Sequence, residues 1–234
     1  MNSAPKTTPA LRDCLAGLKV DILGIAGSEK WSDTEFGEKV LKLLPSAKSL
    51  VVLGMEIYAE VLDARRPENV AGPTPLNEIL TRHLDYLDLR LNGAIHDLAD
   101  ASHQAGFRAL PLPPGGSPED SRFLEPILSY TEAAKLAGIG HVGMNGRVVT
   151  AQFGPRVRFA VFLTEAELAS TAEAEVACRS CNTCVSKCPS HALTWPEDDQ
   201  PFAFNTFACH VYQDAIGGCF ECMRQCPVQS PLYK

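Results

Sequence analysis

Eight of the chain's nine cysteines lie between residues 178 and 226, in two groups. Cys178, Cys181, Cys184 and Cys188 come first and are followed by Pro189. Cys209, Cys219, Cys222 and Cys226 come second and are followed by Pro227. Thiolates are soft ligands, and four at such short spacing can surround a metal centre. In a reducing compartment a cluster of this kind means metal rather than disulfides. One tetrahedral zinc needs four ligands and can use the first group alone.

The spacing C-x2-C-x2-C-x3-C-P is also the bacterial ferredoxin run. There three cysteines hold one [4Fe–4S] cluster and the fourth reaches the other. Read that way, Cys178, Cys181, Cys184 and Cys226 take one cluster, and Cys188, Cys209, Cys219 and Cys222 take the second, with Cys209 offset from its group. The ligand count closes at eight. Two adjacent cubanes form a one-electron relay, so a substrate or acceptor site belongs elsewhere, most economically in the residues upstream. Cys14, in an apolar helical stretch, reads as a buried structural thiol.

The rest of the sequence has to position those cysteines. It has 234 residues, a hydrophobic fraction of 45% and a formal net charge of −7. A packed core is within its means. An acidic chain without a Lys/Arg stripe is not expected to bind nucleic acid broadly, and no apolar run is long enough for a membrane helix. The N-terminus lacks an apolar signal core and a twin-arginine pair, so a cytoplasmic location is expected.

"LRDCLAGL" reads as a short helix, "VDILGIAG" as a buried strand and "DTEFGEKVLKLL" as a helix stopped by Pro45. "SLVVLGMEI" has the continuous apolar pattern of an interior strand. Residues 56–75 read as a loop. From Leu76 the apolar positions recur at helical spacing to near Gly106, a long amphipathic helix. "FRALPLP" is a strand, "PPGGSPED" a loop and "LEPILSYTEAAKLAG" helix-like. "RVVTA" and "RVRFAVFLT" read as two strands joined by a hairpin-like "QFGP", and "EAELASTAEAEVA" as a linker. Strands alternating with helices and finishing in antiparallel pairs give an α+β fold class.

Between them lies "AGIGHVGMNGRVVTAQFGPRVRFAVFLTEAEL", residues 137–168. Its glycines suit either a tight turn or the close approach of backbone to a large planar cofactor. This segment, followed by the two cysteine groups with one offset cysteine, resembles the cobalamin-dependent iron–sulfur reductases, the superfamily of epoxyqueuosine reductases and reductive dehalogenases. The resemblance continues upstream through "DILGIAG", "AKSLVVLGMEI", "RHLDYLDLRL" and "GFRALPLPP".

It implies a nitroreductase-like domain over residues 1–168 that holds base-off cobalamin, and a ferredoxin-like module over 169–234 that feeds it electrons. It further implies cofactor contacts from Gly138, Gly140, His141, Val142, Gly143, Asn145, Gly154, Pro155, Arg156 and Arg158. No Asp-x-His-x-x-Gly stretch occurs, in keeping with cobalt lacking a histidine lower ligand. Cobalamin carries the difficult step in such enzymes, and the protein positions it and excludes water.

A substrate carbanion needs a proton donor. Dehalogenases place a tyrosine acid where this chain has Tyr130; Glu132, Glu125 and His141 follow as candidates. The aspartate donor of epoxyqueuosine reductases has Leu124 in its register here. Those enzymes also continue into helical repeats that help hold tRNA, whereas this sequence stops at Lys234. Arg156 and Arg158 alternate along a strand, so both are expected on one face, toward a propionamide, the nucleotide phosphate or an anionic substrate. The expected partners are a low-potential donor such as ferredoxin or flavodoxin, and a small-molecule substrate or the corrinoid itself. Two other functions fit the same residues: a protein that reduces or dealkylates cobalamin and hands it on, and an electron-transfer protein with flavin or no second cofactor.

Overall fold

The computed structural model describes residues 9–65, 75–120, 122–175, 178–179, 181–195 and 203–228. The elements run α1 (Pro9–Gly17), β1 (Ile22–Gly27), α2 (Glu35–Leu43), β2 (Ser49–Glu56), α3 (Ala59–Asp63), α4 (Pro75–Gln104), β3 (Ala109–Leu112), β4 (Glu119–Asp120), β5 (Glu125–Pro126), α5 (Tyr130–Leu136), β6 (His141–Val142), β7 (Val148–Val149), β8 (Val157–Thr164), α6 (Thr183–Ser186), β9 (Leu193–Thr194), β10 (Ala203–Phe204), α7 (Thr206–Ile216) and α8 (Glu221–Arg224). They form two compact units. The first draws on Met1–Met55, Leu87–Ile139 and Arg158–Glu173; the second on Glu56–Tyr86, Gly140–Val157 and Ala174–Lys234. The linear division expected from the sequence, 1–168 and 169–234, differs from this interleaved one.

The first unit is built on a four-stranded sheet in the order β1-β2-β8-β3. β1 and β2 run antiparallel with Ile22 opposite Gly54, and β3 and β8 antiparallel with Ala109 opposite Thr164. β2 is buried at every position, as its unbroken apolar run requires of an interior strand. Leu50, Val51, Val52 and Leu53 of β2, with Ala160, Val161, Phe162 and Leu163 of β8, have no exposed surface. The C-terminal part of α4 adds Leu91, Ile95 and Leu98, also fully buried and spaced so that they share one helix face. Each such side chain contributes about 1.5–3 kcal/mol on leaving water. α2 starts where Thr34 accepts a hydrogen bond from the Gly37 amide at 3.1 Å, an N-cap worth about 1 kcal/mol.

Four expectations change. "QFGP" does not join a hairpin: β7 pairs back with β6, while β8 enters the four-stranded sheet. The chain instead closes a small turn there, with Thr150 and Gly154 exchanging backbone hydrogen bonds at 2.9 and 3.0 Å. The helix read from "LEPILSYTEAAKLAG" begins only at Tyr130, capped by Ser129, because Glu125–Pro126 pairs with Glu119–Asp120. The described part of "EAELASTAEAEVA" is no free linker. Ala166 and Leu168 are buried, and the Thr171 amide donates to the Ile25 carbonyl at 2.9 Å. Thr171 Oγ1 and Ser170 Oγ in turn accept from the Ile25 and Gly27 amides, each at 2.8 Å. Residues 56–65, read as loop, contain the short helix α3; residues 66–74 lie outside the described residues.

The second unit is made of short pieces. α6, α7 and α8 carry Cys184, Cys209 and Cys222, α8 lies against α6 and α3, and β9 pairs with β10. Its cysteine-bearing stretch has a very small apolar centre: Cys188, Ala192 and Leu193, with Cys184, Val185, Ala208, Cys209 and Cys222 packed around them.

Candidate functional site

The short helices and turns of the second unit sort the thiols into two cavities. Cys178, Cys181, Cys184 and Cys226 line one of about 370 Å³, open solvent included. Cys188, Cys209, Cys219 and Cys222 line another of about 400 Å³. Each cavity therefore joins three cysteines of one group to one of the other. α6 starts from Asn182 in the left-handed conformation (φ 61°), and α7 ends at Gly217 and Gly218 with φ of 69° and 103°; these reversals redirect the chain beside Cys181 and Cys219. No thiol is in a disulfide. Among the described residues, no three His, Cys, Asp or Glu side chains are arranged to hold one metal ion.

Burial dominates the thiol chemistry. It pushes Cys184 up to about 11, helped by Cys222, Cys226 and Cys178. It likewise pushes Cys219 up to about 11 against the backbone hydrogen bond at Glu221, with Cys222 and Cys209 adding to the rise. Cys209 and Cys226 are raised by burial too. Cys181 is exposed and its pKa is lowered, first by the Thr183 hydroxyl at 3.4 Å. At Cys188 burial is outweighed by hydrogen bonds from Ser190 and nearby backbone, and the pKa is lowered. Gln213, one turn beyond Cys209 on α7, donates to the Cys209 sulfur at 3.0 Å. Four thiolates in one cavity repel each other, so full ionisation calls for a bound cation.

Around these cavities the glycine segment serves packing. A Cβ added to Gly143 would lie 2.5 Å from Val149 Cγ2 and 3.5 Å from Cys178 Sγ. One added to Gly154, whose φ is +57°, would lie 2.0 Å from the Val228 carbonyl, two residues past Cys226. Gly138 and Gly140 are pressed likewise against the Ala172 and Val149 carbonyls. These glycines admit neighbouring protein closely. Asn145 is only 4% exposed. Its Nδ2 donates to the Cys222 carbonyl at 3.4 Å and its Oδ1 accepts from the Arg147 amide at 3.1 Å, where a corrin amide was the expected partner. Val142 is exposed and Pro155 buried.

The two arginines have different surroundings. Arg156 is 2% exposed and faces the carboxylate of Glu56, itself buried, at 3.9 Å. Its Nε and Nη2 are buried without a hydrogen-bond partner, and its charge favours the Cys226 thiolate. Arg158 is half-buried and grips Asp88 through two bonds of 2.7 Å. The Nδ1 of His141 is a further buried polar atom without a partner.

The candidate acids are mostly occupied. Tyr130 is buried and donates its hydroxyl to the Pro113 carbonyl at 2.7 Å; burial drives its pKa well above the usual phenol range. Glu132 pairs with Lys135 at 3.6 Å and Glu125 with Lys39 at 3.4 Å, both at the surface. Cys14 is half-buried, with a pKa raised by burial and by Asp97. No described helix is long and apolar enough to cross a membrane. Sequence reasoning missed Gln213 and the burial of Glu56; an i,i+4 amide on a helix that already bears Cys209 was the available clue for the first.

No protein-family model matches the chain. Its homologues are epoxyqueuosine reductases and reductive dehalogenases. The epoxyqueuosine reductase of Synechocystis is 22% identical over 230 residues, spanning 88% of this chain and 71% of the relative. The tetrachloroethene reductive dehalogenase of Dehalobacter restrictus is 26% identical over 211 residues, 77% of this chain but 37% of the relative. Among solved structures, one of a reductive dehalogenase that suggests a mechanism for B12-dependent dehalogenation superposes with a TM-score of 0.66 at 16% identity, over 93% of this chain and 31% of that one. Epoxyqueuosine reductase from Streptococcus thermophilus superposes with a TM-score of 0.59 at 18% identity, over 94% of this chain and 66% of that one. The mixed helix and strand architecture is therefore that of these two groups, and the chain spans about a third of the dehalogenases' length.

Proposed function

We propose that this relative of the epoxyqueuosine reductases and reductive dehalogenases is a corrinoid-dependent reductase, which uses two [4Fe–4S] clusters and base-off cobalamin to reduce a small organic substrate with electrons from a donor such as ferredoxin or flavodoxin. The observation that carries the reading is the sorting of eight thiols into two four-thiol cavities, each crossing between the cysteine groups. A zinc held by the first group alone, Cys178, Cys181, Cys184 and Cys188, would draw its ligands from both cavities.

When bound, the clusters supply one-electron carriers and the corrinoid a low-potential, two-electron reductant. Cys178, Cys181, Cys184 and Cys226 hold one cluster; Cys188, Cys209, Cys219 and Cys222 hold the other. Thr183 and Gln213 donate hydrogen bonds to ligand sulfurs, which raises cluster potential. For the corrinoid, the fit lies in the buried atoms without a hydrogen-bond partner, Arg156 Nε and Nη2, the latter 3.9 Å from Glu56, and His141 Nδ1. An unsatisfied buried polar group costs about 1–3 kcal/mol, and the carboxamide arms of a corrinoid bring acceptors and donors that remove the cost. His141 is then the foremost group for handling a proton, because the Tyr130 hydroxyl is committed to Pro113.

A second reading gains from that same commitment. With Tyr130, Glu132 and Glu125 all engaged, the corrinoid itself suits the role of substrate, reduced or dealkylated and then released. Anaerobic reconstitution with iron, sulfide and cobalamin tests both. About eight irons per chain and an EPR signal of cob(II)alamin without a lower nitrogen ligand are expected. A stable protein holding one zinc and no iron, or binding no cobalamin, would end the proposal; stoichiometric release of reduced corrinoid would favour the second reading over the first.

A further inference from the structure

The turn between β6 and β7 reaches both thiol cavities. Gly143 lies beside Cys178, and Gly146 beside Phe204, which lines the second cavity. Between them, Asn145 lines both, and no other described lining residue is common to the two. Its amide is fixed at each end: Oδ1 accepts from Arg147, whose side chain lines the second cavity, and Nδ2 donates to the carbonyl of Cys222, a ligand of the second cavity. Nδ2 carries a second N–H, and at 4% exposure that proton is shielded from solvent.

We propose that Asn145 is a positioning residue for electron transfer between the two clusters, holding the Cys222 turn of α8 against the first cavity and setting the environment of both clusters at once. The proposal rests on the two-cluster reading. A neutral amide in a shared wall does what few residues can. It braces the peptide of one cluster's ligand, and it places one dipole beside two redox centres, where N–H donors raise potential. Replacement by aspartate reverses both effects. A carboxylate oxygen then meets the Cys222 carbonyl, acceptor against acceptor, and a negative charge stands between two anionic clusters. A residue that donates to a ligand of one cavity makes the natural comparison, and Gln213, whose amide donates to the Cys209 sulfur, provides one.

The experiment is an anaerobic redox titration of the reconstituted full chain, followed by EPR, on wild type, Asn145→Asp, Asn145→Ala and Gln213→Leu, with iron and sulfide measured on each. Fewer than eight irons in the wild type refutes the two-cluster reading itself, and the Asn145 proposal with it. With eight irons in place, Asn145→Asp is expected to lower both midpoint potentials, and Asn145→Ala to change the magnetic interaction between the two reduced clusters. Gln213→Leu should move one potential only. If Asn145→Ala loses iron, Asn145→Gln serves in its place, and eight irons with an altered interaction then support the proposal. Unchanged potentials and interaction in iron-replete variants overturn it. So does loss of iron from one site alone in every Asn145 variant, which makes the residue a brace for that site only.

Discussion

The sheet of the first unit and the cysteine stretch of the second are stabilised by different physics. The sheet closes over a continuous apolar core in which whole stretches of β2 and β8 have no exposed surface. Across the described residues of 178–228, only Cys188, Ala192, Leu193 and Met223 are buried. A stretch that short of apolar material cannot offset the entropy of ordering its backbone, about 1–2 kcal/mol per residue. On the proposed two-cluster reading its thiols do so through what they bind, as in small domains where metal-binding energy is folding energy. One chain thus joins a sheet unit closed by packing to a cysteine stretch with little packing of its own.

The strongest way to break that contrast is to remove iron. Metal-free chain is expected to lose amide-exchange protection across the described residues of 178–228 while β2 and β8 keep theirs. For scale, a structural metal supplies about 10–16 kcal/mol in zinc-finger peptides. Protection retained around residues 181–195 without metal would contradict it. The converse is Leu91→Ala, which empties a fully buried position and should cost about 2–5 kcal/mol of the first unit's stability by urea denaturation. Iron content of the folded fraction should stay at the wild-type value.

Gly154→Ala sharpens the comparison within the second unit. The left-handed backbone alone costs about 1–2 kcal/mol for a residue with Cβ, and the added atom would strike the Val228 carbonyl. Iron is expected to fall at the site containing Cys226 and to persist at the other, readable by Mössbauer spectroscopy.

The smallest effect belongs to the sheet unit. The Ser46 hydroxyl, the Arg108 amide and the Arg108 guanidinium hold the Glu165 pKa down to about 2. A carboxyl depressed below its unfolded value of about 4.3 stabilises the fold fully above that pH, and the contribution fades as pH falls toward about 2. Glu165→Gln should therefore flatten the acid limb of stability between those values. Urea midpoints at buried Trp31, in a Trp195→Phe background, would reveal it; parallel curves for the two proteins would exclude it.

The pairing of the cysteine groups was the most legible feature of the sequence, because their spacing is local, and the structure brings each trio beside one cysteine of the other group. The β2 run and the α4 periodicity were legible for the same reason: burial of one face writes itself into neighbouring positions. The packing around the glycines was not. What Gly154 accommodates is Val228, more than seventy residues later, and nothing near Gly154 in sequence records it. Arg156 read as a ligand-facing cation on an alternating strand, yet it lies buried against Glu56, a pairing across a hundred residues. The interleaved units escaped for a like reason, since residues 56–86 and 140–157 carry no local mark of joining the cysteine stretch.

The strap of residues 168–171 has a consequence for how molecules of this protein meet one another. β1 sits at an edge of its sheet, where bare amides and carbonyls would invite a strand from another chain. Thr171 and Ser170 instead take up the Ile25 and Gly27 amides and the Ile25 carbonyl. The border is thereby closed to strangers, so concentrated protein is protected from growing fibres by strand addition along β1, and four residues once read as spacer act as its guard.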